Sequence, residues 1–124
     1  MKTLPECLAV ARALSDPQRL RALAALQHGE LCVCELMELL GLAVSTVSRH
    51  LALLQQAGLV QSRRQGRWVY YQLAREPVPP VVREGLNWVL KAVASDPQIR
   101  ADRRTIAALR RSGRVKPCPE RVRT

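Results

Sequence analysis

Aromatic residues are scarce: the 124 residues include two Trp, two Tyr and no Phe. The core is therefore expected to be built from Leu, Val and Ala, and base stacking on aromatic rings is excluded as the main grip on single-stranded nucleic acid. No apolar run approaches the ~20 residues that a bilayer span requires, and no charged-then-apolar leader opens the chain. A cytoplasmic protein is expected, neither membrane-spanning nor secreted. A Gly-rich loop and a strand–helix–strand alternation are also missing, which disfavours an enzyme such as a small thiol reductase using Cys32 and Cys34. One long stretch has no acid at all. From Val44 to Arg75 there are five Arg and neither Asp nor Glu.

What is present is basic and unevenly spread. Lys and Arg number 20 against 10 Asp and Glu, a net charge of +10. The first 43 residues are nearly balanced, with four basic and five acidic, whereas Arg100 to the end holds nine basic and two acidic. A basic strip within foldable sequence points to a polyanion, most simply DNA. RNA fits less well, because the Arg-rich segment lacks interleaved surface aromatics. The length suits one domain, and 48% apolar content suits a folded core. Residues 1–95 are expected to form that domain. Residues 96–124 read as a basic extension, with a short, weakly amphipathic helix around Ile99, Ile106 and Leu109 and disorder from Ser112 onward.

Helical periodicity dominates the first half. Leu4, Leu8, Ala11 and Leu14 form one stripe, which also carries Cys7. Asp16-Pro17 then supplies an N-cap and a first-turn proline for a second helix bearing Leu20, Leu23, Ala24 and Leu26. A third helix faces Leu36, Leu39 and Leu40 inward and stops at Gly41, and a fourth starts near Val44. Two short helices joined by a tight Gly-containing turn are the helix-turn-helix pattern. On the fourth helix Val44, Val47, Leu51 and Leu54 bury, while Ser45, Thr46, Arg49 and Gln56 face away with His50 at their flank. Short hydroxyls and an Arg on that face suit major-groove reading. Leu59 to Arg64 reads as a strand, Gln65-Gly66 as a two-residue turn, and Arg67 to Leu73 as the returning strand. A basic hairpin after a helix-turn-helix is a wing. The fold class is thus mainly α with a β-hairpin wing, a winged helix-turn-helix. The candidate DNA contacts are Ser45, Thr46, Ser48, Arg49 and His50, with Arg63, Arg64, Gln65 and Arg67 on the hairpin. Glu76 to Pro80 is a stiff linker. The next helix, Val81 to Ala94, carries one stripe of Val82, Leu86, Val89, Leu90 and Val93 and a second of Val81, Trp88 and Ala92. That double face calls for cover by a second copy in a two-fold dimer.

Four cysteines remain, Cys7, Cys32, Cys34 and Cys118, expected as reduced thiols. On a regular helix Cys32 and Cys34 would lie ~200° apart, Cys32 on the core stripe and Cys34 toward solvent. They fall in a first turn, where free amides and the positive dipole end favour thiolate and the helix can distort. A soft ion could draw both sulfurs together at the expense of the helix supporting the recognition helix, opposing DNA binding. Four-ligand zinc fits poorly. Trivalent arsenic or antimony on three sulfurs, copper(I) on two, and a strained dithiol redox sensor stay open.

Glu30-Leu31-Cys32-Val33-Cys34-Glu35-Leu36, Ser48-Arg49-His50-Leu51-Ala52-Leu53-Leu54, Gly58-Leu59-Val60 and Arg64-Gln65-Gly66-Arg67-Trp68-Val69-Tyr70-Tyr71 together resemble the arsenic-responsive branch of the ArsR/SmtB winged-helix family. The resemblance covers roughly residues 8 to 95. It implies a cytoplasmic homodimeric repressor on an inverted repeat of double-stranded operator DNA, released by As(III) or Sb(III) on Cys32 and Cys34. It also implies a dimer built from the first helix and the helix around Val82 to Val93. The third cysteine sometimes found in the family is replaced by Met37, whose thioether cannot form a thiolate. A third sulfur would come from Cys7, Cys118 or a solvent thiol. Cys7 also has core packing as a reading, while related cadmium and lead sensors use an N-terminal cysteine across the dimer. The family's zinc set of His and carboxylate on the late helix is missing.

Overall fold

The computed structural model of the chain describes residues 3–112. Nine elements follow in order: α1 (Thr3–Ala13), α2 (Pro17–Leu26), β1 (Leu31–Cys32), α3 (Val33–Leu40), α4 (Val44–Gln56), β2 (Val60–Gln65), β3 (Trp68–Leu73), α5 (Pro80–Val93) and α6 (Pro97–Ser112). Local chemistry sets the boundaries. The Asp16 carboxylate accepts the amides of Gln18 at 2.8 Å and Arg19 at 3.1 Å, satisfying two orphan donors at the start of α2, and Pro17 follows at the first position. Gly41 ends α3 in the left-handed region at φ 68°, where its amide donates to the Met37 carbonyl at 2.9 Å. The axes of α3 and α4 then turn by 109° across three residues, the geometry of a helix-turn-helix.

The core is aliphatic, as the composition requires. Leu23, Leu36, Leu51, Leu54 and Leu59 are its largest fully buried side chains, and α2, α3, α4 and the sheet converge on them. No single helix among the described residues is long and apolar enough to cross a membrane.

Four details differ from the sequence reading. A short strand, β1, precedes α3 and pairs antiparallel with β3, Leu31 opposite Tyr71 and Cys32 opposite Tyr70, so the sheet order is β1-β3-β2. The hairpin turn is Gly66-Arg67 rather than Gln65-Gly66, because Gln65 pairs with Trp68 and Gly66 takes the positive φ of 62° that the turn demands. On α1 the residues buried in this chain are Val10 and Ala13, while Leu4 and Leu8 are 70% and 51% exposed. Finally, α6 runs for 16 residues, longer than the short helix expected, and packs on α2 and α3 through Ile99, Ile106 and Leu109. The disorder expected from Ser112 onward concerns residues that, beyond Ser112 itself, lie outside those described.

A guanidinium joins three of these helices. Arg21 on α2 forms a two-pronged pair with Asp102 on α6, Nε to Oδ2 at 2.8 Å and Nη2 to Oδ1 at 2.9 Å. The same Nη2 donates to the Leu39 carbonyl near the end of α3 at 3.2 Å. Asp102 is the sole buried charge among the described residues, and its hydrogen bond raises the Arg21 pKa, with the opposite charge adding to the effect.

Candidate DNA interface and thiolate site

Helix α4 turns Val47, Leu51 and Leu54 into the core and leaves Val44 half-buried. Ser45 and Arg49 are exposed, Thr46 and Ser48 half-buried. His50 is engaged differently from its neighbours. Its Nδ1 lies 3.2 Å from Arg19 Nη1 and its Nε2 lies 4.0 Å from Asp16 Oδ2. Arg19 also donates to the carbonyls of Ala13 at 2.8 Å and Arg12 at 3.1 Å. His50 therefore ties the recognition helix to the α1–α2 corner, a link of 31 residues that sequence spacing does not signal.

The wing has two faces. Arg63 and Gln65 stand opposite Tyr70 and Trp68, and Ser62 and Arg64 stand opposite Tyr71 and Val69. Arg64 and Arg67 are exposed at the tip, with Arg67 over the Trp68 ring at 5.9 Å. Arg63 is held. Its Nε and Nη2 donate to the Glu30 carboxylate at 2.5 and 2.7 Å, and its guanidinium lies 4.9 Å above the Tyr70 ring. That hydrogen bond, aided by the charges of Arg63 and Arg75, holds the Glu30 carboxyl below the usual carboxylate range. Glu30 was not among the residues singled out from the sequence, because its partner is 33 positions away.

The two thiols of the CxC motif occupy different kinds of backbone. Cys32 is buried in β1 and also serves as the N-cap of α3, with extended φ and ψ of −89° and 169°. Its amide donates to Glu35 Oε1 at 2.9 Å, one half of a capping box. Cys34 lies in the first helical turn, half-buried against the core rather than pointing fully to solvent. The ~200° separation of a regular helix therefore does not apply to this pair, because Cys32 stands outside the helix. Both residues lie at the N-terminal end of α3, the positive end of its dipole. Cys7 is exposed on α1, so core packing does not describe it. Cys118 lies outside the described residues. No group of three His, Cys, Asp or Glu side chains gathers among the described residues of a single chain.

Residues 16–62, from the N-cap of α2 to the wing, match the family described as bacterial regulatory protein, arsR family. Over 84 residues the chain is 49% identical to the arsenic resistance transcriptional regulator ArsR2 of Pseudomonas putida, an alignment covering 67% of this chain and 72% of that protein. The chain belongs to the ArsR family. A second Pseudomonas putida arsenic resistance regulator, ArsR1, is 46% identical over 84 residues, 67% of this chain and 65% of that protein, so the chain spans just under two thirds of its length. The cadmium resistance regulator CadC of Listeria innocua is 34% identical over 84 residues, 67% of this chain and 71% of that protein. Among solved structures, a homodimeric winged helix-turn-helix DNA-binding domain from Mycobacterium bovis superposes with a TM-score of 0.62 at 32% identity, covering 76% of this chain and 82% of that one. This ArsR-family chain thus carries the winged helix-turn-helix DNA-binding domain of transcriptional regulators.

Proposed function

We propose that the protein is a cytoplasmic repressor that holds an inverted-repeat operator as a homodimer and releases it when trivalent arsenic or antimony engages Cys32 and Cys34. The observation that carries this reading is the position of Cys32, which belongs at once to the wing's sheet and to the N-cap of α3. Moving its sulfur toward Cys34 disturbs the capping box that begins α3, the helix on which α4 packs. It also disturbs the strand pairing with Tyr70 and Tyr71. The wing's sheet and the helix that supports α4 share one thiol. Thiolates are the ligands that soft ions select, and Met37 contributes none.

On this reading Ser45, Thr46, Ser48 and Arg49 of α4 face base edges and phosphates, His50 positions the helix, and Arg64, Gln65 and Arg67 with Arg63 contact the backbone at the wing. The third sulfur comes from Cys7 of the other protomer, from Cys118, or from a solvent thiol. Dimerisation uses α1 and α5: Leu4 and Leu8 on one and Trp88, 65% exposed, on the other are large apolar side chains left uncovered on two helices that pack together. Gly85 permits that packing, since a Cβ there would meet Val10 Cγ1 at 3.1 Å.

Fluorescence anisotropy of the reduced protein on its own upstream DNA, titrated with arsenite at fixed salt, tests the proposal. Release near one or two equivalents per chain is the expected result. Tight binding unmoved by arsenite would remove the inducer and leave the second reading, a cadmium or lead sensor, which the likeness to CadC and the exposed Cys7 favour. Copper(I) and thiol oxidants are the remaining titrants. Failure to bind upstream DNA at moderate salt would overturn the repressor.

A further inference from the structure

Helix α6 takes no part in the interface described above, yet its surface is built to one sign. Its buried stripe is Ile99, Asp102, Ile106 and Leu109. At ~100° per residue, Arg100, Arg104 and Arg111 fall within about 40° of one another on the opposite side, with Arg103 and Arg110 beside them. All five are exposed. Asp102, the helix's single acid, is buried and bound by Arg21, so nothing on α6 offsets these charges at its surface. No ion pair among the described residues involves any of the five. Arg103 and Arg110 each donate to a backbone carbonyl, of Ala94 at 3.3 Å and of Glu30 at 2.9 Å. Burial first, and then the charges of Arg103 and Arg110, push the neighbouring His28 imidazole down, a local sign of the field they create.

The second contact joins the helix to the wing. Glu30 accepts Arg110 on its carbonyl and Arg63 on its carboxylate, so the C-terminal end of α6 and the wing meet on one residue. From Arg100 to Arg111 the basic line extends about 16 Å along the helix axis, and duplex DNA carries one phosphate charge per ~1.7 Å. The buried Arg21–Asp102 pair fixes α6 on α2, so the line is presented on a rigid element rather than a loose tail.

We propose that α6 is a second DNA-contacting element, which lays Arg100, Arg104 and Arg111 against the phosphate backbone outside the bases read by α4. This rests on the DNA-binding reading above and extends it from the recognition helix and wing to the flanking duplex. Phosphate contacts of this kind add affinity without sequence preference and give binding a steeper dependence on salt.

The test compares the full-length wild type with the triple variant Arg100→Gln, Arg104→Gln, Arg111→Gln. All three side chains are exposed, and thermal melting checks that the variant folds. Affinity is measured across a salt series on two duplexes, the operator repeat alone and the same repeat lengthened at each end by one helical turn of ~10 base pairs. The wild type should gain at least about tenfold on the longer duplex, with a log–log salt slope steeper by about 0.9 for each phosphate contact added. The variant should match the wild type on the short duplex and show no gain on the long one. An equal gain by both proteins, or no gain by the wild type, would overturn the proposal while leaving the repressor intact. Equal losses by the variant on both duplexes would place α6 within the operator footprint and overturn the flanking assignment. A wild type that binds neither duplex would overturn both readings together.

Discussion

Cys32 and Cys34 are two positions apart, yet they carry different burdens. Cys32 is buried, caps α3 and pairs in the sheet, whereas Cys34 lies half-buried in the first turn of α3. The variant Cys34→Ser should keep operator affinity within about threefold of wild type and lose release by arsenite; anisotropy with and without arsenite reads both. Failure of this variant to bind operator would make Cys34 structural and remove the switch. Glu30 supports a pH prediction. Its folded pKa is depressed, first by the hydrogen bond from Arg63 and then by charge, so the pair's contribution is fully present above the unfolded value of about 4.3 and is lost as pH falls through the folded value. Melting temperatures of wild type and Glu30→Gln should therefore differ most near neutral pH and converge below pH 4. A gap that widens on acidification would show that the carboxylate is not held by Arg63. Periodicity alone placed Cys32 inward, which the structure bears out. It could not show that Cys32 stands outside the helix, since the N-cap conformation is a backbone property that side-chain spacing does not encode.

At the scale of elements, α6 illustrates what a sequence pattern hides. A carboxylate on its inward stripe lowers the apparent amphipathicity, and its burial rests on Arg21, 81 positions away, with Gln98 one turn earlier donating to the same carboxylate. Removing one member of a buried pair leaves the other uncompensated. Asp102→Ala should thus cost roughly 3 kcal/mol in urea denaturation. A loss below about 1 kcal/mol would mean that solvent reaches Arg21 freely enough to replace its partner. The helix-turn-helix was legible because its signals are local: a stop at Gly41 and a 3.6-residue stripe on α4. β1 was not, because two residues carry no period. The hairpin was read one residue out of register, since periodicity could not say whether Gly66 would open or close the turn.

Across the whole molecule, the exposed apolar residues are where the proposed function places the second copy of the chain. The stripe expected on α1 is real but faces outward: Leu4 and Leu8 are exposed while the smaller Val10 and Ala13 fill this chain's own core. Trp88 on α5, the helix packed against α1, is exposed as well. Trp88→Glu should give a monomer by analytical ultracentrifugation and lower operator affinity by roughly 100-fold, the avidity that joining two half-site contacts provides. A variant that remains dimeric would move the interface away from α5.

The double membership of Cys32 carries one more consequence. On the proposed function, whatever free energy the bound inducer withdraws from DNA affinity, bound DNA withdraws from inducer affinity, since a thermodynamic cycle has no preferred direction. Turning a 99:1 occupied operator to 1:99 requires about 5.5 kcal/mol of such coupling. Because this thiol borders both the recognition unit and the wing, strengthening either grip on DNA raises the dose at which the gene turns on. A tighter hold on DNA through either element is therefore matched by a less sensitive response to the inducer.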